Sequence, residues 1–434
     1  MTGKRLVFCA FGSLGDVYPV LSLAREMKQR GHSAVIATTS VYRQLIESQG
    51  VAFHAARPNI DVSDPAILHR AMDRRDGTRY IFAELIFPSI RETYEDTLAA
   101  AKDADMIVTH PVTLAALLLA RKSRIPWASV ALSPVSLFSV YDPPVFTGVP
   151  FAEKLATFGP AFQHVFLKTM AFLLEPIWKP FRALEKDLGL PSLPNPLIWP
   201  PQSNLVLGLF SPVLGAPQRD WPSNAHATGF PFFEHGNGKS PELHQFFDAG
   251  EPPIVFTLGS AAVGAAGDFF LQSAEAAHSL GRRAVLLVGR DPRNQPVGKL
   301  PPGVIAVPYA PHATVFPRAS VVVHQGGIGT TGEAMRAGRP MLVVPYSHDQ
   351  PDHAARLKRL GVARSIPRER YNAALAAREI AALLRDKSYA GRAADVGARV
   401  RSETGLAKAC DLLEGLLRKS HPQTLAFQQA GGMN

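Results

Sequence analysis

Short apolar stretches alternate with longer amphipathic stretches along most of the chain. In the first part of the chain, this alternation predicts buried strands separated by helices. The predicted strands are residues 5–11, 34–38, 51–53, 106–109 and 127–132. Residues 54–79 are polar and are predicted to be irregular. Repeated strand and helix order with short connections predicts an α/β fold with a parallel, doubly wound sheet.

A second series of the same kind follows later in the chain, with predicted strands at residues 254–257, 284–288, 304–307, 321–323 and 341–344. We therefore predict two doubly wound domains, residues 1–215 and 241–418, joined by a turn-rich linker at 216–240. Ligands bind such sheets at the carboxyl ends of the strands. The candidate loops are those after Phe11, Thr109, Thr257, Val307, Val323 and Val344.

An apolar segment at residues 134–199 interrupts the alternation within the first domain. Phe158, Phe162 and Phe166 have helical spacing, which predicts a helix that buries this face, and an apolar ligand could sit beside the same segment. Residues 389–418 are predicted to be helical, and the pattern leaves open whether the last helix packs back on the N-terminal domain. Residues 419–434 are predicted to form a flexible tail.

Composition narrows the class of protein. The 434 residues are 46% hydrophobic, which is ample for two globular cores. The formal charge of +10 favours anionic partners, and nucleotide sugars and anionic lipid surfaces both qualify, including peripheral contact with a membrane. The basic residues are scattered rather than clustered, which argues against nucleic acid. Isolated Cys9 and Cys410, no signal peptide and a proline-broken apolar stretch at 188–218 predict a cytoplasmic protein without a membrane-spanning helix.

The glycine-rich stretch at residues 324–331 follows three consecutive valines and precedes a predicted helix. Free N–H groups at a helix start, here around Gly327, Gly329, Thr330 and Thr331, favour a phosphate or diphosphate. Residues 330–333 fit a capping box, and Gly338 suits the position after the helix. The same glycines also spell the fingerprint of a dinucleotide fold, with Asp349 as its ribose acid. Pro345 separates that acid from the preceding strand, which disfavours this alternative.

Residues 324–331, 337–340 and 349–350 resemble the donor-binding signature of the bacterial branch of family 1 glycosyltransferases, which have the GT-B fold of two facing domains around a cleft. The resemblance implies a donor-binding C-terminal domain and an acceptor-binding N-terminal domain. It assigns the diphosphate to His324 and the loop of Gly327, Gly329, Thr330 and Thr331, and sugar hydroxyls to Asp349 and Gln350. Ser260 resembles a phosphate-contacting serine or is an ordinary turn serine. Tyr309 and Ala310 resemble the nucleobase position, and for Glu333 a capping role is preferred over ribose binding.

Residues 15–19 resemble the Gly-Asp-Val-x-Pro loop of bacterial members, in which an aspartate stands where plant members have the catalytic histidine. The resemblance makes Asp16 the catalytic base, with Ser13 and Gly15 in the same acceptor-side loop. Without it, Asp16 is simply a helix cap or dipole partner. His110 ends a predicted strand on the cleft rim and is either a helper to the base or an N-terminal cap.

The sequence predicts neither a metal nor a cofactor, since the nucleotide sugar is a substrate. The Asp-Ala-Asp sequence at residues 103–105 imitates the metal-binding D-x-D motif, but it precedes its strand instead of following it. The predicted function is inverting, base-assisted transfer of a hexose, first of all from UDP-glucose, to a hydroxyl of an apolar small molecule of secondary metabolism. One alternative is a dTDP-rhamnose-dependent transferase acting on a lipid, since the chain also resembles rhamnosyltransferases that build rhamnolipids. Another is a non-catalytic nucleotide-sugar-binding protein. The sequence does not decide the oligomeric state.

Overall fold

The computed structural model describes residues 3–61, 64–149, 151–199, 203–233, 241–296 and 298–419. Within this part of the chain, two parallel sheets are each flanked by helices. The prediction of two doubly wound domains is therefore confirmed. The predicted tail lies outside the described residues, except for its first residue.

The first sheet contains seven parallel strands among the described residues, in the spatial order β3-β2-β1-β4-β5-β6-β7. The strands are β1 Arg5–Cys9, β2 Ser33–Thr38, β3 Ala52–Ala55, β4 Met106–Thr109, β5 Trp127–Ala131, β6 Leu205–Gly208 and β7 Ala225–Ala227. The helices of this domain are α1 Leu14–Gln29, α2 Arg43–Ser48, α3 Pro65–Ala71, α4 Gly77–Tyr80, α5 Ile90–Ala100, α6 Leu114–Lys122, α7 Ala152–Leu155, α8 Pro160–Leu174 and α9 Lys179–Asp187.

The second sheet contains six parallel strands among the described residues, in the order β10-β9-β8-β11-β12-β13. The strands are β8 Ile254–Thr257, β9 Ala284–Leu287, β10 Val304–Val307, β11 Val321–His324, β12 Met341–Val343 and β13 Ala363–Ser365. The helices that follow the first domain are α10 Pro241–Asp248, α11 Gly259–Ala262, α12 Phe269–Ser279, α13 His312–Val315, α14 Ile328–Ala337, α15 Gln350–Arg359, α16 Ala373–Arg385, α17 Lys387–Arg401 and α18 Gly405–Lys419.

The strand order of each sheet reverses at its centre. In the first sheet β1 pairs with both β2 and β4, and in the second β8 pairs with both β9 and β11. The valines of β11 are fully buried, as expected for a central parallel strand covered on both faces. A reversal leaves a crevice at the carboxyl ends of the two central strands, where doubly wound sheets bind ligands.

Three predictions about local structure were wrong. Residues 54–79 contain the helices α3 and α4, because Asp64 caps α3 and Pro65 opens it despite the polar composition. The segment predicted as a linker contains strand β7, whose three residues are too few to show alternation; residues 234–240 lie outside the described part. Phe158 and Phe162 are 53% and 41% exposed, because Phe158 precedes α8 and this helix buries the face of Gln163, Leu167 and Ala171 instead.

The chain returns to the first domain at its last described helix. Cys410 and Leu413 of α18 belong to the core of the first sheet, and Arg30 of the first domain pairs with Asp411 at 2.6 Å. Where the chain crosses back, Gly405 lies directly against Gly229: a Cβ on Gly405 would be 2.5 Å from the Gly229 carbonyl carbon. Among the described helices, none combines the length and the apolar character needed to cross a bilayer.

Candidate active site

A large cleft between the two domains encloses about 2380 Å³. Its walls include residues from the loops after β1, β4, β8, β10, β11 and β12. These are the loops that were selected from the sequence, and the structure brings all six of them together on one cleft. Pockets for drug-sized ligands are usually about 300–1,000 Å³, and this cleft therefore has room for two substantial molecules at once.

Asp16 lies in the first turn of α1 and lines the cleft. Ser13 is the N-cap of this helix, and its N–H donates to Asp16 Oδ2 at 2.7 Å. The Ser13 hydroxyl donates to the same oxygen at 3.1 Å and accepts from the Gly15 N–H at 3.2 Å. A Cβ on Gly12, whose φ is +128°, would lie 2.3 Å from Asp16 Oδ2, so glycine is required beneath the cap. Asp16 therefore caps the helix, and it does so through Oδ2.

His110 brings its ring to the other oxygen of this carboxylate. It follows β4, the neighbour of β1, and its Nε2 lies 3.3 Å from Asp16 Oδ1, outside good hydrogen-bond geometry. Its Nδ1 accepts from the Val112 N–H at 3.4 Å, which assigns the proton of a neutral ring to Nε2, facing Asp16. The His110 side chain is 3% exposed and that of Asp16 is 33% exposed. Asp16 is therefore the member of the pair that a bound molecule can reach.

The amino terminus of helix α14 forms part of the cleft wall opposite Asp16. Gly327 is its N-cap, and Gly327, Gly329 and Thr330 line the cleft. Unpaired N–H groups in the first turn of a helix, together with its dipole, favour an anion at this position. The loop therefore has the geometry of a phosphate site.

The predicted capping box at the start of α14 is wrong. Because the helix already begins at Ile328, Glu333 lies in its second turn, too far along to reach the cap. Its carboxylate instead accepts from Arg336 at 2.8 Å and lines the cleft. The prediction for Gly338 is confirmed, since it ends the helix with a φ of +66°.

His324 and Thr331 lie behind the loop and do not line the cleft. The Gly326 N–H donates to His324 Nδ1 at 3.1 Å, so His324 supports the backbone of the loop from below. Burial lowers the pKa of His324 to about 3, and nearby His312 and His353 act in the same direction. The ring is therefore neutral at ordinary pH, with its proton on Nε2.

Gln325 belongs to the same loop and was not among the predicted site residues. Its side chain lies between Gly259 and Gly327, close to Thr330, and it lines the cleft. Both glycines must stay free of side chains, since a Cβ on either would lie within 2.6 Å of Gln325 Nε2. Only Gly327 is near Gln325 in sequence, so no local pattern marked Gln325 as a site residue.

Asp349 and Gln350 lie at the start of α15 and both line the cleft. Gln350 Oε1 accepts from the Tyr346 N–H at 2.8 Å, and Nε2 donates to Met72 Sδ at 4.0 Å, which leaves the second amide hydrogen as the group able to contact a ligand. Burial raises the pKa of Asp349, and Asp16 across the cleft adds to the rise, while His353 and His348 oppose it. The negative charge of Asp16, the candidate base, therefore acts on Asp349, the predicted sugar-binding acid.

Ser260, Tyr309 and Ala310 line a further part of the cleft wall in the second domain. Tyr309 is 53% exposed, as expected for a ring that can stack on a planar ligand. Arg290, which belongs to no sequence motif, lines the same region. Burial raises the pKa of Tyr309, and the charge of Arg290 opposes this rise. Glu333 adds a carboxylate to this end of the cleft.

Apolar side chains cover the part of the cleft that faces Asp16. They come from the α3–α5 region and from the apolar segment predicted at residues 134–199. The wall includes Leu68, Phe82, Phe138, Phe146, Met170, Leu174, Ile177, Trp178, Leu197 and Ile198. Phe138 and Phe146 stack with ring centroids 5.7 Å apart. This end of the cleft suits a large apolar molecule.

In the described part of the chain, four residues that line this cleft carry a buried side-chain atom without a hydrogen-bond partner: His110 Nε2, Thr147 Oγ1, Gln325 Oε1 and His348 Nε2. His324 Nε2 and Thr331 Oγ1 are also unpaired, but they lie behind the loop that precedes α14. Buried polar atoms are nearly always paired, so such a cluster marks a place where polar groups of a ligand are expected. The Asp-Ala-Asp sequence at residues 103–105 lies away from the cleft, at the amino ends of the strands, where Asp105 accepts a hydrogen bond from Lys4 at 3.0 Å.

Comparison with known proteins identifies the family. Residues 6–126 match the glycosyltransferase family 28 N-terminal domain, and residues 281–411 match the C-terminal domain of erythromycin biosynthesis protein CIII-like proteins. The O-mycaminosyltylonolide 6-deoxyallosyltransferase of Streptomyces fradiae is 32% identical over 427 residues, covering 94% of this chain and 97% of that protein. The chain belongs to the bacterial family 1 glycosyltransferases with the GT-B fold. It is an enzyme, a hexosyltransferase that uses a nucleotide sugar.

More distant relatives and solved structures share the fold. A sterol 3-beta-glucosyltransferase of Neosartorya fischeri is 26% identical over 98% of this chain, which spans only 30% of that protein. The glycosyltransferase of kitacinnamycin superposes with a TM-score of 0.75 at 21% identity, covering 96% of this chain and 100% of that one. Glycosyltransferase VinC, solved with dTDP, superposes with a TM-score of 0.69 at 17% identity over 96% of this chain and 100% of that one.

Proposed function

We propose that this enzyme transfers a hexose from a nucleoside diphosphate sugar to a hydroxyl of a large apolar small molecule, with inversion at the anomeric carbon. The observation that carries the proposal is the asymmetry of the cleft. One wall presents a helix amino terminus with the unpaired polar atoms of Gln325 and His348, and the other presents a carboxylate among apolar side chains.

The donor half has the groups that a diphosphate needs. The N–H groups at the start of α14, with Gly329 and Thr330 on the cleft wall, face the diphosphate and stabilise the charge that grows on it as it leaves. His324 supports the loop as a neutral ring, and Ser260 lines the same wall. Asp349 and the amide of Gln350 receive the sugar hydroxyls.

At the end of the cleft that receives the nucleobase, Tyr309 stacks on the nucleobase beside Ala310. Arg290 and Glu333 line the same wall and offer a cation and a carboxylate to the phosphate and the ribose, respectively. This assignment replaces the capping role that the sequence favoured for Glu333.

The acceptor half supplies orientation and a base. Asp16 Oδ1 points away from the helix cap, and the acceptor hydroxyl donates its proton to this oxygen as it attacks the anomeric carbon. The bond between that carbon and the diphosphate oxygen breaks in the same step, so one displacement inverts the centre. His110, with its proton facing the carboxylate, stabilises Asp16 before and during the transfer.

Two donors fit the proposed reaction. UDP-glucose is the donor predicted from the sequence. A thymidine-linked 6-deoxyhexose is supported by the 6-deoxyallosyl transfer for which the Streptomyces fradiae relative is named and by the dTDP in the VinC structure. Both donors use the diphosphate site in the same way, and they differ at the base and at the sugar hydroxyls.

A thermal-shift and transfer panel tests the proposal. UDP-glucose, dTDP-glucose and dTDP-rhamnose are each supplied with a set of apolar alcohols. A donor at one hundred times its Kd should stabilise the fold by about 2.7 kcal/mol. Thr330→Ala, in the glycine-rich loop of residues 324–331 (the donor loop), should weaken this shift. Thr97→Ala should not, because Thr97 is a buried threonine of α5 whose hydroxyl donates to the Thr93 carbonyl of the same helix. Absence of any shift and of any transfer in the wild type would refute the proposal.

A lipid acceptor is the second candidate. Helix α8 lines the cleft with Met170 and Leu174 while it exposes Val165, Phe172 and Leu173 on its other side. An apolar outer face beside an apolar cleft would suit an acceptor presented by a bilayer. Transfer from dTDP-rhamnose to a hydroxy-lipid in vesicles, compared with the same lipid in detergent, tests this candidate. Absence of transfer to the lipid both in vesicles and in detergent would exclude a lipid acceptor.

A further inference from the structure

His353 occupies a central position that the roles proposed above do not use. It lies one turn beyond Asp349 in α15, is fully buried, and connects three parts of the molecule. Its Nδ1 lies 2.7 Å from the Gly326 carbonyl oxygen in the donor loop. Its Nε2 lies 2.7 Å from Ser133 Oγ in the first domain and 3.7 Å from Asp349 Oδ2.

The chemistry of these partners fixes the direction of each hydrogen bond. A carbonyl oxygen can only accept, so the Nδ1 hydrogen of His353 is donated to Gly326. In the neutral ring Nε2 is then an acceptor, and the Ser133 hydroxyl donates to it. Ser133 follows β5 and is itself buried and on the cleft wall. One ring therefore joins the donor loop to the acceptor domain.

The next turn of the same helix repeats the connection. Arg356 is buried and donates to Asp352 at 2.6 Å and to Asp142 of the first domain. Asp352 also accepts from the Val145 N–H at 3.1 Å, next to Phe146, whose ring forms part of the apolar wall. Lys358, at the end of the helix, adds a pair with Glu153 of the first domain at 2.8 Å. Helix α15 is thus attached to the first domain along its length, and of these contacts the one from His353 to Ser133 starts closest in sequence to Asp349.

We infer that His353 is a positioning residue, which through Ser133 holds helix α15, whose N-cap is Asp349, and the donor loop in register with the acceptor domain. The inference rests on the proposed function, because register matters only if a sugar must pass from one wall to the other. Displacement of a reacting centre by about 1 Å can cost on the order of a hundredfold in rate. Loss of one neutral hydrogen bond is milder, roughly three- to tenfold.

Ser133→Ala tests the inference, because it removes the hydroxyl and leaves both His353 and Asp349 in place. We expect kcat for transfer to fall roughly three- to tenfold, with the affinity for free nucleoside diphosphate unchanged. Ser133→Thr, which keeps the hydroxyl, should retain most of the wild-type kcat. If the alanine variant does not fold, Ser133→Cys fills the same space with a poor donor and takes its place.

The matched control is Ser273→Ala. Ser273 is also buried, and its hydroxyl forms a 2.7 Å hydrogen bond to a ring side chain, that of Tyr371, within the second domain and away from the cleft. Both variants should lose similar thermal stability, but only the Ser133 variant should lose kcat. An equal loss of kcat in both, or an unchanged kcat in Ser133→Ala, would overturn the inference. A wild type that neither binds nucleoside diphosphates nor transfers sugar would instead overturn the proposed function.

Discussion

Asp16→Asn separates the two roles that the structure gives to one carboxylate. The amide oxygen can still accept from the Ser13 N–H, now 2.7 Å from Oδ2, so the cap survives. The lost negative charge at the start of α1 costs about 0.3–1 kcal/mol. In a chain of this size, such a change should lower the Tm by only a few degrees.

The catalytic cost should be much larger. Removal of a general base typically lowers the rate by about 10²–10⁴, which corresponds to roughly 2.7–5.5 kcal/mol in the barrier. Because this range lies well above the loss of folding stability, the two roles can be told apart in one preparation. Transfer to an alcohol acceptor is measured together with the Tm and with the affinity for the nucleoside diphosphate. We expect the rate of transfer to fall at least a hundredfold, and the Tm and the affinity for the nucleoside diphosphate to stay near their wild-type values.

His110→Gln completes the experiment. If Asp16 and His110 act as a unit, the double variant should be no slower than Asp16→Asn alone, because coupled residues are not additive. Transfer at near wild-type rate by Asp16→Asn would leave Asp16 as a helix cap. In that case His110, whose Nε2 lies 3.3 Å away, becomes the residue to test as the base.

Four further outcomes are expected. His324→Ala should weaken nucleotide sugar and free nucleoside diphosphate by the same factor, on the order of tenfold, in isothermal titration; unchanged affinity in a folded variant would remove its role. Because the pKa of His324 is about 3 when folded and near 6.5 otherwise, the unfolded chain binds more protons in between, and stability should fall as the pH drops from about 6.5 toward 3. Denaturant unfolding should show a loss of roughly 2–3 kcal/mol at pH 4.5 that His324→Gln lacks. Turnover should survive a chelator, and loss that added manganese restores would contradict the metal-free mechanism. Gly12→Ala should displace the Asp16 carboxylate and reduce transfer at least tenfold, whereas Gly159→Ala, with open space around its Cβ, should not.

The features that could be predicted from the sequence are local ones. The three valines of β11 and the glycine loop after them are contiguous, so apolar run, turn and helix start all appear within a dozen positions. The same holds for the loop around Asp16. Each strand end could therefore be selected as a candidate wall of the cleft.

Features that depend on tertiary pairing could not be predicted. His110 meets Asp16 only because β4 pairs with β1, and Ser133 meets His353 only because the domains face each other. Arg290 belongs to no motif and becomes relevant through its position at the cleft. Strand β7 is too short to carry a period, and its place at the sheet edge follows from β6 beside it.

The return of α18 to the first domain makes that domain discontinuous in sequence. Its core is completed by Cys410 and Leu413, which a ribosome adds after the whole second domain, whereas residues 241–401 form one uninterrupted stretch. Domains usually fold as units in order of synthesis. Here the second domain can reach its final packing first, and the acceptor domain is finished only when Gly405 settles against Gly229. A fragment that ends before residue 405 would therefore impair the acceptor half, although it deletes no residue of the cleft.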